Sequence, residues 1–179
     1  METIASNRQV ELDGLTEVES MDMKALSPKY RRLNIQISFA FWGGLAVIIA
    51  LVLLQPFFDL PTFFNEHAWI AISVLLFLMI WSVIYHYFAD PKKKYAIREH
   101  DIHFQTGWIF QKRTSQPIMR IQHIEIERGP IERKAGLATL QVFSAGGANH
   151  TFEIPGLVHE KAIELRQFIL DHKDVREDG

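Results

Sequence analysis

LNIQISFAFWGGLAVIIALVLL, Leu33–Leu54, and WIAISVLLFLMIWSVIYHYF, Trp69–Phe88, are apolar runs of 22 and 20 residues that contain no Asp, Glu, Lys or Arg. At the helical rise of about 1.5 Å per residue, each reaches roughly 30 Å, the hydrocarbon thickness of a bilayer. Lys29, Arg31 and Arg32 stand before the first run and Lys92, Lys93 and Lys94 after the second, while the connection Gln55–His67 holds no Lys or Arg. Basic residues in short flanking segments stay on the cytoplasmic side. The pattern predicts a transmembrane helical hairpin over 29–91, with both chain ends cytoplasmic and those six residues as membrane-surface anchors.

Details inside the hairpin fit this reading. Asn34, Gln36 and Ser38 fall near the cytoplasmic end, where headgroups solvate them. Gly43 and Gly44 sit mid-span; they either admit a second helix closely or reflect the ordinary frequency of glycine in membrane helices. Pro56, Pro61 and four phenylalanines make the connection an interfacial segment, and Trp81, Tyr85, Tyr87 and Phe88 form an aromatic belt above the lysines. His86, in the last turn of that span, reads as a headgroup-level histidine rather than a proton relay.

The rest of the chain supports one small domain. Residues 1–32 carry six acidic and five basic residues without a continuous apolar core, which does not match a cleaved leader; the first span reads as a retained anchor. Residues 1–28 read as a flexible tail, with a short helix around Glu17–Leu26. From Lys92 the period shortens: Tyr95 and Ile97, Ile102 and Phe104, Trp108 and Phe110 alternate with other residues. Ile118, Ile121, Ile124 and Ile126 follow less regularly, then Leu137, Leu140, Val142, Phe152 and Ile154. Six or seven half-buried strands are expected, with turns at Glu99–Asp101, Thr106-Gly107, Gln116-Pro117, Gly129-Pro130 and Ala145–Asn149. Val158, Ala162, Leu165 and Ile169, with Phe168 beside them, share a face at helical spacing and predict a helix capping one end of a barrel or sandwich. The domain is expected over 92–172, with 173–179 a polar tail.

Chemistry is sparse. A net charge of −2 gives no footprint for nucleic acid, and with no cysteine there is no disulfide or thiolate metal site. His100 and His103 are three apart beside a strand and should face opposite ways, which disfavours a shared metal. Glu125 and Glu127 share a face that reads as solvated. Gly146-Gly147 lacks the helix and lysine of a phosphate loop, and Ser115 and Ser144 have no base implied by any motif. No catalytic residue, metal or cofactor is expected.

One segment stands out, Arg120 to Leu140. A strand ends at Gly129-Pro130, a polar-basic stretch follows, and Gly136 opens the next strand. Glycine suits both places if the backbone there needs positive φ or close approach. Arg120, Arg128, Arg133 and Lys134 would make one basic edge, as an interaction site or as a solvated surface.

This segment resembles the signature of the bacterial pleckstrin-homology-like membrane proteins of the YdbS type. The matching elements are Arg120, Gln122, His123, Gly129, Pro130, Glu132, Arg133, Gly136, Leu137, Ala138 and Ala145-Gly146-Gly147. Tyr95-Ala96-Ile97, Gly107-Trp108-Ile109-Phe110 and Ile154-Pro155-Gly156-Leu157 look similar too, and Ala135 departs from a larger apolar residue. The resemblance covers about residues 29–171. It implies an all-β split-barrel (pleckstrin-homology-like) domain closed by a C-terminal capping helix, in a bacterial inner-membrane protein. It implies no reaction. It implies no settled ligand either, but it does suggest a partner, a larger membrane protein with repeated copies of the domain; membrane lipids are the other expected partner, attracted by Lys92, Lys93 and Lys94 at the membrane surface. A transporter or channel subunit and a membrane enzyme are the rival readings.

Overall fold

The computed structural model describes residues 21–55, 57, 61–144 and 152–177. Helix α1, Pro28–Leu54, starts where Pro28 presets the first turn and the Ser27 hydroxyl accepts from the Lys29 amide at 3.3 Å. Helix α2, Thr62–Ala89, follows Pro61 and ends in a 3-10 turn, Asp90–Lys92. Both helices begin before their apolar runs, α1 at Pro28 and α2 at Thr62. They pack against each other, with Ser38 and Ser82 hydroxyls 2.9 Å apart. Ser38 is therefore satisfied between helices rather than by headgroups. Almost none of either apolar stretch is buried within the protein, and Phe41, Leu51, Phe77 and Trp81 all point outward. Helices whose long central stretch exposes apolar side chains in this way suit a lipid surround, because their backbone groups are satisfied internally. By length and composition both are able to cross a membrane.

The strands form two antiparallel sheets. The first runs β1 (Lys24–Ala25), β2 (Lys94–Ile97), β3 (Asp101–Thr106), β4 (Lys112–Pro117). The second runs β5 (Ile121–Glu127), β6 (Leu137–Ser144), β7 (Phe152–Val158). A 3-10 turn, Ile118–Arg120, links them, and the short helix α3, Pro130–Ala135, bridges β5 to β6. Ile102, Phe104, Leu140, Val142 and Ile154 fill the space between the sheets. Helix α4, His159–Glu177, closes the end by inserting Ala162, Leu165 and Ile169 into this core. This is a PH-like barrel with its C-terminal cap.

Several expectations are corrected. Where described, the segment read as tail and helix is extended: Lys24 and Ala25 pair with Tyr95 and Lys94, and Leu26 joins the core. The sheet offered an unpaired edge at β2, and an apolar residue beside it favours pairing over a free helix. Trp108 and Phe110 are not strand residues but belong to the β3–β4 turn. Val158 closes β7 and is exposed rather than lying on the helix face. Backbone helix also continues into the 173–179 segment, as far as Glu177. The irregular isoleucine spacing has a local cause: a bulge between Ile121 and His123 absorbs one residue, so Ile121 and Ile124 both reach the core.

Candidate functional site

The end of the hairpin that carries both chain connections meets the domain at Asp90. Its carboxylate is almost wholly buried, with the side chain 1% exposed. The Asn34 side-chain amide donates to one oxygen at 2.8 Å, and His86 Nδ1 lies 3.1 Å from the same atom. The Lys93 ammonium is 3.0 Å from the other oxygen and donates to the Tyr30 hydroxyl at 3.1 Å. A buried carboxylate is tolerable only with such partners. Burial pulls the Lys93 pKa down, but Tyr30 and Asp90 outweigh it and leave the ammonium above its ordinary 10.5. Tyr30 in turn lies on Gly156 of β7, where φ is +65° and a Cβ would overlap the ring. The Ser27 amide donates to the Gly156 carbonyl at 3.3 Å. Polar and packing contacts thus fix the domain against both helices. His86 and Asn34 belong to this cluster instead of facing headgroups.

The anchors therefore divide. Lys29, Arg32 and Lys92 are exposed, Lys94 is half-buried in β2, and Lys93 is a structural pin. Arg31 places its guanidinium 5.2 Å from the centre of the Tyr87 ring, tying the two helices across the belt.

The signature segment also divides. Glu132 accepts from the Gly129 amide at 2.8 Å and from the Thr139 hydroxyl at 3.0 Å, capping α3 and joining it to β6. Arg128 Nε donates to the Leu137 carbonyl at 3.1 Å. Gly136 takes a left-handed conformation, φ +70°, and its carbonyl accepts from the His159 amide at the start of α4. Gly129 does not need positive φ: it has φ −65° and no close neighbour that a Cβ would strike. The ring of His123 stacks on Phe143, centroids 4.2 Å apart, and Gln122 is exposed beside it. Arg120 does not join the other cations. It precedes β5 while Arg128 follows it, and eight residues of extended chain put them roughly 26 Å apart. Arg133 and Lys134 remain exposed on α3 beside Ile131, itself 51% exposed. Ala145-Gly146-Gly147 lie outside the described residues.

A cavity of about 350 Å³ opens beside the hairpin junction. Lys93, Lys112, Thr106, Thr114 and the Tyr30 ring line it over a floor of Phe104 and Phe152, with one carboxylate, Glu153. Lys112 is exposed, whereas Lys93 is held by Asp90. Nothing in the sequence spacing brings Tyr30 and Lys112 together; the fold does.

Ser115 has a neighbouring base after all. His103 is buried, with Nδ1 2.6 Å from Ser115 Oγ and Nε2 2.9 Å from Asp101 Oδ1. His103 and Ser115 are cross-strand partners in regular pairing of β3 with the edge strand β4. That register alone accounts for the contact, and the pairing satisfies an imidazole that would otherwise be buried without a partner. His100 lies in the preceding turn, exposed and away from this cluster. Glu125 and Glu127 lie on the exposed side of β5. Among the described residues no three His, Asp or Glu gather in metal-binding geometry.

Residues 38–173 match the family described as Bacterial PH domain. A Bacillus subtilis (strain 168) protein named UPF0699 transmembrane protein YdbS is 31% identical over 130 residues, covering 70% of this chain and 76% of that protein. No solved structure matches the chain. The family match begins inside α1 and ends inside α4, so it takes in most of the hairpin together with the barrel and its cap. With both this match and the PH-like barrel in view, the chain belongs to the bacterial PH domain family.

Proposed function

We propose that this chain is a non-enzymatic, two-pass protein of the bacterial inner membrane whose cytoplasmic PH-like domain engages lipid headgroups at that surface. The observation that carries the reading is the lysine- and threonine-lined cavity at the inner end of the hairpin. The exposed basic residues around the junction lie at the same level, and each gains about 1 kcal/mol near an anionic leaflet. Two apolar helices with basic outer flanks, and a relative named as a transmembrane protein, support the placement. The test is native mass spectrometry of the full chain released from mixed phosphatidylglycerol and phosphatidylcholine bilayers. Retained phosphatidylglycerol that is lost in Lys112→Glu supports the reading; equal retention by both proteins would sink it.

A protein partner is the second reading, favoured by α3. Its exposed Ile131, Arg133 and Lys134 stand on the short connection between β5 and β6, and β5 is an edge strand of its sheet. An exposed apolar side chain flanked by two cations suits a membrane protein with an acidic, partly apolar surface. A larger protein carrying repeated domains of this kind is the partner proposed.

A further inference from the structure

The β3–β4 turn carries the most exposed aromatic side chain of the domain. Phe110 is 89% exposed and Ile109 72% exposed. Isolated apolar residues on a surface need no explanation, but this tip is shaped and positioned. Gly107 has φ +104°, and a Cβ there would collide with the Phe110 carbonyl, so the loop closes tightly and pushes its apolar residues outward. Trp108 folds back and stacks on Phe88, centroids 5.3 Å apart and planes 12° from parallel. Phe88 lies in the last turn of α2, four residues before Lys92. The Trp108 ring thus packs on the hairpin where its apolar span gives way to the lysines, the kind of boundary that tryptophan favours. Lys112 and Arg113 follow at the base of the turn, at the start of β4.

We infer that Ile109 and Phe110 insert into the cytoplasmic leaflet as a membrane wedge, with Trp108 as the interfacial hinge. The occupant of this apolar tip is lipid. A hairpin that crosses the bilayer already holds Phe88 at the headgroup boundary, and the stacking contact holds the tip beside it. The domain is then seated on the membrane by the helix junction and by the wedge held beside it. The inference rests on the hairpin crossing the bilayer, and not on headgroup recognition by the cavity.

The chain has no cysteine, so one introduced residue reports alone. Ile109→Cys and, as a surface control, Glu125→Cys are labelled with a nitrobenzoxadiazole fluorophore in the full chain. They are placed in nanodiscs of phosphatidylcholine, with and without phosphatidylglycerol. Reduction by aqueous dithionite should be at least about fivefold slower at position 109 than at 125, as for a residue in the acyl boundary. A nitroxide on the upper acyl chain should quench the position 109 probe in both lipid mixtures. Adding Phe110→Asp should restore fast reduction. Equal reduction rates at the two positions overturn the inference. So does shielding without nitroxide quenching, which means that protein covers the tip, or quenching confined to the anionic discs, which means that charge rather than apolar insertion seats it. Loss of lipid retention in Lys112→Glu with an unchanged wedge separates the two proposals.

Discussion

Removing the Asp90 carboxylate should loosen the domain from the hairpin without unfolding either. In Asp90→Ala the Asn34 amide loses its acceptor and the Lys93 ammonium, 17% exposed, loses its counter-charge. Deleting one member of a buried pair costs about 3–5 kcal/mol. The lower end applies, because Lys93 keeps the Tyr30 hydroxyl and some access to water. At about 1.4 kcal/mol per factor of ten, 3 kcal/mol corresponds to roughly a hundredfold. Hydrogen exchange on the full chain in nanodiscs reads this at the Ser27 amide, which bonds across the junction to Gly156. Its exchange should accelerate by about two orders of magnitude, while amides of the β5–β6 ladder stay unchanged. The double variant Asp90→Leu with Lys93→Met should recover most of the loss, since the unpaired charge is then gone. Acceleration below about threefold would refute the idea that this cluster clamps the domain.

Other outcomes follow from the same geometry. Leu165→Asp places a carboxylate in the core beneath the α4 cap, and at several kcal/mol for an unpaired buried ion it should abolish cooperative unfolding of the barrel by near-UV circular dichroism. Arg133→Glu should leave folding and membrane insertion intact and reduce affinity capture of a membrane-protein partner; an unchanged captured set would make α3 a solvated surface. Lys93 lies above its ordinary 10.5, and burial raises Tyr95 above its ordinary 10.0, so both groups hold more protons folded than unfolded. Their stabilising contributions are fully present below pH 10 and lost as pH rises through the folded values. Thermal unfolding, followed from pH 8 to 11, should therefore show this component declining only above about pH 10.

The hairpin was legible because composition alone marks it: two uninterrupted apolar runs and a charge asymmetry need no tertiary information. The capping helix was legible for a similar reason, its period of about four matching a single buried face at Ala162, Leu165 and Ile169. Short elements were harder. Lys24-Ala25 is a strand only because β2 offers an edge, and two residues carry no period. Trp108 and Phe110 alternate like a strand, but the tight conformation at Gly107 turns them into a tip. The bulge after Ile121 hides its register in the same way.

The basic edge is divided by distance. Residues at the two ends of one strand cannot converge, so Arg120 is separated from Arg128, and Arg128 is spent on a carbonyl of β6. Lys93 looked like its neighbours Lys92 and Lys94, yet a 3-10 turn aims it inward at Asp90. The cavity beside it joins α1, the β3–β4 hairpin and β7, three parts of the chain far apart in sequence, which no local spacing reveals. The Ser115–His103 contact depends on cross-strand register and was invisible for the same cause.

The placement of the domain on the cytoplasmic leaflet carries both the headgroup reading and the wedge, and single-cysteine topology tests it directly. Phe57→Cys lies in the connection between the helices and Lys134→Cys on the exposed face of α3. In intact spheroplasts an impermeant maleimide should label position 57 and leave position 134 unlabelled until the membrane is opened. Labelling of position 134 in intact spheroplasts, with position 57 protected, would contradict the account.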